Sequence, residues 1–186
     1  MNYPTFSHFI AIADMDEDGH PDLVNANSFH HGNGDGTFAP RVDFEPELHG
    51  RDAVADLNDD GHLDVTAMGY GYSVVRLGHG DGIVRSGDQS PEWKQPLYTQ
   101  VADLDRDGRL DVMGFAPGSF TLALGHGDGT FGARHEIPID HGVFWIEAAD
   151  VTWDGHADIV GLHPENRALW ILAGNGHGGF AQPEAR

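Results

Sequence analysis

The sequence predicts an all-β chain built from four copies of one small antiparallel sheet. Three observations predict it. A nine-residue pattern, Asp-x-Asp-x-Asp-Gly-x-x-Asp, opens at Asp14 and returns in near-identical form at Asp56, Asp103 and Asp150, at spacings of 42, 47 and 47 residues. A glycine-rich stretch, Gly-x-Gly-x-Gly, trails each copy and leads to a Phe in three of the four. The rest is short apolar runs between turn residues, with no sustained 3.6-residue periodicity.

The third repeat shows the plan most clearly. Residues 97–102 run apolar into the acidic loop, and Asp111-Val-Met-Gly-Phe-Ala116 leads out of it. Pro117-Gly-Ser119 supplies turn chemistry. Phe120-Thr-Leu-Ala-Leu124 alternates as a third strand, Gly125 to Gly129 turns again at positive φ, and Phe131 to Ile139 gives a fourth strand. Asp35, Asp81 and Asp128 sit in these glycine turns as capping residues. Four antiparallel strands in a 47-residue repeat are one propeller blade.

The same parse fits the second repeat, with third strand Tyr72-Ser-Val-Val-Arg-Leu77, and the fourth, with Ala168-Leu-Trp-Ile-Leu172. The first repeat is compressed. Its Asp22 to Gly32 interval is 10 residues, against 14, 14 and 16 in the others, so its third strand near Ser28-Phe-His-His31 is short or irregular. Phe180 to Arg186 supplies a short last strand for the fourth repeat. The fold class is therefore a β-propeller of four blades, each with an acidic loop between its first two strands. The repeats fall at about 5–46, 47–93, 94–140 and 141–186, in a single propeller domain or a propeller fragment. Three arrangements stand open: a four-bladed ring, an open arc, or two arcs paired as a homodimer into an eight-bladed ring.

The loops carry the chemistry. Oxygen side chains fall at positions 1, 3, 5 and 9. They are Asp14, Asp16, Asp18 and Asp22, then Asp56, Asn58, Asp60 and Asp64, then Asp103, Asp105, Asp107 and Asp111, and last Asp150, Thr152, Asp154 and Asp158. Position 7 adds a backbone carbonyl, so its side chain is free to vary as His20, His62, Arg109 and His156. Alternate residues of a tight loop turn their oxygens inward, and the glycine at position 6 permits the bend. This donor set predicts calcium, up to four ions, one per repeat. Magnesium keeps more water, and zinc takes His or Cys side chains. The fourth loop, with Thr152 in place of a carboxylate, is the weakest. EF-hands are excluded, because position 12 is Asn25, Ala67, Gly114 or Gly161 where they need Glu, and the flanks read as strands.

These paired motifs resemble FG-GAP repeats of the VCBS type, and the calcium loop is similar to those in the propeller head of integrin α subunits. The resemblance covers essentially the whole chain. It implies a calcium-binding β-propeller.

Composition removes several classes of function. The chain holds 30 acidic and 10 basic residues in 186, a formal charge of −20, which repels nucleic acid and anionic membranes. Fourteen of those acids are the loop aspartates. There is no cysteine, and no apolar run of about 18 residues that would insert in a membrane. The first residues, Met1-Asn-Tyr-Pro-Thr-Phe6, do not read as a signal peptide. Loops of this kind suit the millimolar calcium outside cells, which predicts an extracellular, cell-surface or periplasmic protein.

The calcium is read as structural and the protein as no enzyme. The loop carboxylates saturate the ion, whereas a catalytic metal needs an open position and a nearby base. The main expectation is a calcium-stiffened module for protein recognition or adhesion. The alternative is a lectin-like module or the non-catalytic appendage of a secreted enzyme. Sugar platforms would come from Trp93, Tyr70, Tyr72, Trp145 or Trp153, of which Trp153, inside a loop, is the most exposed candidate. Trp145 and Trp170 lie in apolar runs and read as packing residues. No aromatic recurs in every repeat, which ranks the lectin second. The pair His30-His31 could take adventitious nickel or zinc.

Overall fold

The computed structural model describes residues 11–25, 27–44, 53–68, 72–82, 84–91, 98–116, 118–139, 145–163 and 167–181. Four antiparallel sheets account for its regular structure, one per repeat. The first joins β1 (Ala11–Ala13), β2 (Asp22–Asn25), β3 (Ser28–His30) and β4 (Val42–Asp43) in sequence order. The second joins β5 (Ala53–Ala55), β6 (Asp64–Met68), β7 (Tyr72–Leu77) and β8 (Arg85–Pro91), and the third β9 (Tyr98–Ala102), β10 (Asp111–Ala116), β11 (Ser119–Ala123) and β12 (His135–Pro138). The fourth has three strands among the described residues: β13 (Trp145–Ala149), β14 (Asp158–His163) and β15 (Ala168–Leu172). Its expected last strand falls mostly outside them, although Phe180 makes an antiparallel bridge to Gly174. The all-β fold of propeller blades is as the repeats require.

Each acidic loop joins the first two strands of its sheet, and position 9 of the loop is always the first residue of the second strand. The glycine turns follow the third strands and close with the bridges Gly32–Phe38, Gly125–Phe131 and Gly174–Phe180. The compression of repeat one appears as a three-residue β3 and a two-residue β4.

Two compact units divide the chain. The first holds residues 1–99 with 127–130, and the second holds 100–126 with 131–186. In the first, Met15, Val24, Phe29, Phe44 and Val65 form a buried cluster, against which Ala11, Ala13, Val54, Leu63 and Val84 pack. Arg76 is buried there as well, its guanidinium 5.6 Å from the centre of the Phe44 ring. In the second unit the middle strands contribute Val112, Met113, Phe115, Phe120, Leu122, Ile159 and Leu172, all buried. Strands covered on both faces read as unbroken apolar runs, which is why Asp-Val-Met-Gly-Phe-Ala lacks a polar alternation. Among the described residues no helix is long and apolar enough to cross a membrane.

Candidate metal centres

The four loops share one backbone scaffold. The carboxylate at position 1 accepts the N–H of the position-6 glycine in every loop, at 2.9 Å for Asp14, 2.9 Å for Asp56, 3.0 Å for Asp103 and 3.0 Å for Asp150. Position 5 accepts the N–H of position 7, at 2.8 Å for Asp18 and 2.9 Å for Asp60, Asp107 and Asp154. These hydrogen bonds hold Asp18 and Asp60 below the usual carboxylate range, the backbone N–H of His20 and of His62 being the first cause. The position-6 glycines all take φ between 85° and 90°, where a side chain is strained.

Position 9 does something the other positions do not. Asp22, Asp64, Asp111 and Asp158 are fully buried. One oxygen of each accepts an N–H from inside its own loop: Met15 at 2.8 Å, Leu57 at 2.8 Å, Leu104 at 2.7 Å and Val151 at 2.9 Å. The other accepts the first N–H of the glycine turn: Gly32 at 2.8 Å, Gly78 at 2.8 Å, Gly125 at 2.9 Å and Gly174 at 3.0 Å. One carboxylate thus ties together the two motifs of each repeat, which explains why they travel as a pair. Burial pushes Asp111 up to about 6, helped by the charges of Asp105 and Asp103. Asp64 and Asp22 are raised by burial in the same way. For Asp158 burial acts upward too, but three backbone N–H groups outweigh it and the group is lowered.

Acidic oxygens converge most fully in two loops. In the first, Asp14, Asp16 and Asp18 bring oxygens within 4.8 Å of one another, and in the third Asp103, Asp105 and Asp111 do the same. These donors fit a hard cation. They are carboxylates, and one of them, Asp111, is fully buried and crowded by the charges of Asp105 and Asp103. In the second loop the amide of Asn58 contributes to the same scaffold, its oxygen accepting Asp60 N–H at 3.2 Å. The fourth loop keeps its backbone hydrogen bonds, although Thr152 offers no charge at position 3. Repeat one has an extra group. The imidazole of His31 lies 2.6 Å from Asp16, and Asp16, Asp22 and His31 form a third convergent set. Its neighbour His30 points the other way along β3, is buried, and donates Nδ1–H to Ala39 O at 3.1 Å. Strand alternation separates that pair.

Two features of the loops were not legible beforehand. The position-7 rings are not free. An added Cβ at Gly34, Gly80 or Gly176 would lie closer than 3.0 Å to the imidazoles of His20, His62 and His156 respectively. In these three turns the middle glycine is the floor on which the ring rests. His20 also donates to Asp18 at 3.0 Å, and contact with Glu17 raises the pKa of His62. A measurable consequence concerns Gly176, which has φ 69°. Gly176→Ala is expected to cost about 2–4 kcal/mol in urea unfolding, through the ring clash and the left-handed backbone. Adding His156→Ala should restore about half, since it removes the clash but leaves the strain.

The second feature is position 4. Glu17, Asp59, Arg106 and Trp153 all have left-handed backbones, with φ of 59°, 62°, 65° and 61°. This geometry throws the side chain forward from the loop. Glu17 meets His62 of the next repeat. Arg106 reaches the next loop, its guanidinium 3.4 Å from a Cβ placed on Gly155. Trp153 is 91% exposed, as its place in the loop predicts. Trp145 is half-buried and donates Nε1–H to Glu147 at 2.8 Å, while Trp170 is half-buried in β15. Tyr72 opens β7, and Trp93 and Tyr70 lie outside the described residues.

A family model for the FG-GAP-like repeat matches residues 56–114 and 103–161, together more than half of the chain. Among solved structures, an Agrocybe aegerita lectin, reported for its specific recognition of non-reducing terminal N-acetylglucosamine, aligns with a TM-score of 0.66 and 26% identity. The alignment covers 93% of this chain and 50% of the lectin. The Photorhabdus luminescens Tc holotoxin pore aligns with a TM-score of 0.54 and 18% identity, over 98% of this chain and 9% of that one, a likeness of fold alone. This chain therefore spans half the length of the first and under a tenth of the second. No curated protein matches the sequence.

Proposed function

This chain belongs to the FG-GAP-like repeat family, and from that premise we propose that it is a non-catalytic glycan-binding module whose loops are held by calcium. One observation carries the glycan reading: the likeness to a lectin, at 26% identity over 93% of the chain. It reverses the order that the residues alone suggest, where protein recognition comes first. The glycan class that this likeness favours is a sugar chain ending in N-acetylglucosamine at its non-reducing end.

Calcium has a structural role in this reading. Asp14, Asp16, Asp18 and Asp22 would hold one ion and Asp103, Asp105, Asp107 and Asp111 another, with position-7 carbonyls completing each set. Asp56, Asn58, Asp60 and Asp64 form a third site, and Asp150, Thr152, Asp154 and Asp158 a fourth and weakest. The ion supplies positive charge where buried carboxylates crowd. Sites tuned to millimolar calcium suit an extracellular or cell-surface setting.

The test is a glycan array probed with the full chain in calcium. Binding is expected to concentrate on glycans with terminal N-acetylglucosamine, to be competed by the free sugar, and to vanish in chelator and return with calcium. Calcium binding by calorimetry without binding to any glycan would remove the glycan reading and leave the metal reading standing.

A further inference from the structure

The last glycine of a turn recurrently touches the repeat before it. In repeats one and two the carbonyl at loop position 2 accepts the N–H of the last turn glycine of the following repeat, Gly82 to Met15 at 3.3 Å and Gly129 to Leu57 at 3.2 Å. The position-2 side chains Met15, Leu57 and Leu104 are buried. That last glycine sits close to the repeat before it. An added Cβ would meet Phe29 at 3.0 Å from Gly82, Leu77 at 2.9 Å from Gly129 and Leu124 at 3.0 Å from Gly178. In repeat three the cross-strand pair Phe115–Phe120 is fully buried, with Phe180 of the following turn edge-on to Phe120 at 5.8 Å.

The equivalent positions of repeat four are apolar and open. Val151, at loop position 2, is 41% exposed. Leu162 and Leu169 form the cross-strand pair equivalent to Phe115–Phe120, yet they are 45% and 69% exposed. Trp153 stands beside Val151 at the forward-reaching position. The other half of the contact is open on repeat one. Ile12 is equivalent to Val54, which packs on the first repeat's core, but Ile12 is 73% exposed. Gly36 is equivalent to Gly82, Gly129 and Gly178, but nothing lies within 4 Å of a Cβ placed on it.

We infer that the open face of repeat four binds the first repeat of a second copy of this chain. The occupant follows from continuity with the contact between consecutive repeats. The exposed apolar set and the exposed glycine turn are the two halves of that contact, and they lie on different repeats. The contact therefore joins head to tail and not like to like. Made twice between two copies, the contact would leave neither half open, and that closed pair is the assembly we assign. The residues that meet are Val151, Leu162 and Leu169 of one copy and Ile12 and the Gly36 turn of the other.

Sedimentation equilibrium of the full chain in calcium at physiological salt tests this. Two chains per particle are expected. Leu169→Asp and Ile12→Asp each place a charge on an exposed position, so folding should be unchanged by circular dichroism. Each variant alone is expected to run as a single chain, with dimer affinity down at least a hundredfold. Mixed together, they regain one of the two contacts, so a two-chain species weaker than the parent dimer but absent from either variant alone is expected, because Ile12→Asp retains an intact fourth-repeat face and Leu169→Asp an intact first repeat. A single-chain mass for the unaltered protein overturns the inference. So does a dimer that Ile12→Asp leaves intact, since like faces would then be meeting.

Discussion

Replacing Asp111 by alanine is expected to lower the free energy of unfolding by about 2–4 kcal/mol in chelator and by more in calcium. Its carboxylate accepts the N–H of Leu104 at 2.7 Å and of Gly125 at 2.9 Å, and it is buried. Removing it leaves two donors without an acceptor, at roughly 1–3 kcal/mol each. In chelator part of that loss is offset, because a buried carboxylate crowded by Asp103 and Asp105 also disappears. A calcium ion bound by this loop would already relieve that crowding, so in calcium the offset would be gone. Asp105→Ala is the contrast. Asp105 accepts Asp107 N–H at 3.2 Å on the exposed side of the loop. It should weaken calcium binding yet cost no more than about 1 kcal/mol in chelator. Urea unfolding of both variants, with and without calcium, separates the roles. An Asp111→Ala protein as stable as its parent in chelator would show that position 9 is a ligand and nothing more.

That contrast marks where the sequence stops being readable. Spacing was enough to find the repeats and the strands around each loop. Strands such as Asp111–Ala116 and Tyr72–Leu77 were bounded correctly because a turn or a loop motif stands at each end. The letter Asp is the same at positions 3 and 9, however, and the difference between them arises only on folding. Position 9 begins a buried strand, and its second partner lies in the glycine turn, 10 to 16 residues away in the chain. The packing of His20, His62 and His156 on glycines was invisible for the same reason: each contact joins two motifs that look independent in one dimension. Arg76 reads as an ordinary polar residue of a strand and is in fact buried over Phe44. The exposure of Leu162 and Leu169 could not be read from their letters, since apolar residues at the equivalent places of repeat three are core.

The second large effect is the joint action of calcium and pH. In chelator the protein is expected to be more stable at pH 5 than at pH 7, and in calcium this order should reverse. Asp111 is pushed up to about 6 in the folded state by burial, whereas the unfolded chain titrates near 3.8. The folded protein therefore binds a proton more readily than the unfolded one between those values. Its stability falls as pH rises through that window, by about 3 kcal/mol for this group once pH exceeds 6. Asp22 and Asp64, also raised by burial, act in the same direction. His62, raised by Glu17, adds stability that is fully present below its unfolded value of 6.5 and is lost as pH climbs through its folded pKa. The lowered groups Asp18, Asp35, Asp60 and Asp158 oppose this only at lower pH, where their stabilisation fades as pH falls below 3.8. Calcium changes the balance because it favours the ionised carboxylates. At a hundredfold excess over Kd each ion adds about 2.7 kcal/mol, and that gain shrinks where protons compete for the same oxygens. Thermal melts at pH 5 and pH 7, each with calcium and with chelator, read the four corners of this cycle. Calorimetry at pH 6 in two buffers of different ionisation enthalpy should show protons released as calcium binds. Chelated protein that grows steadily more stable from pH 5 to pH 7, with no proton release, would mean that the buried aspartates are not strained by their charge and that calcium does not act through them.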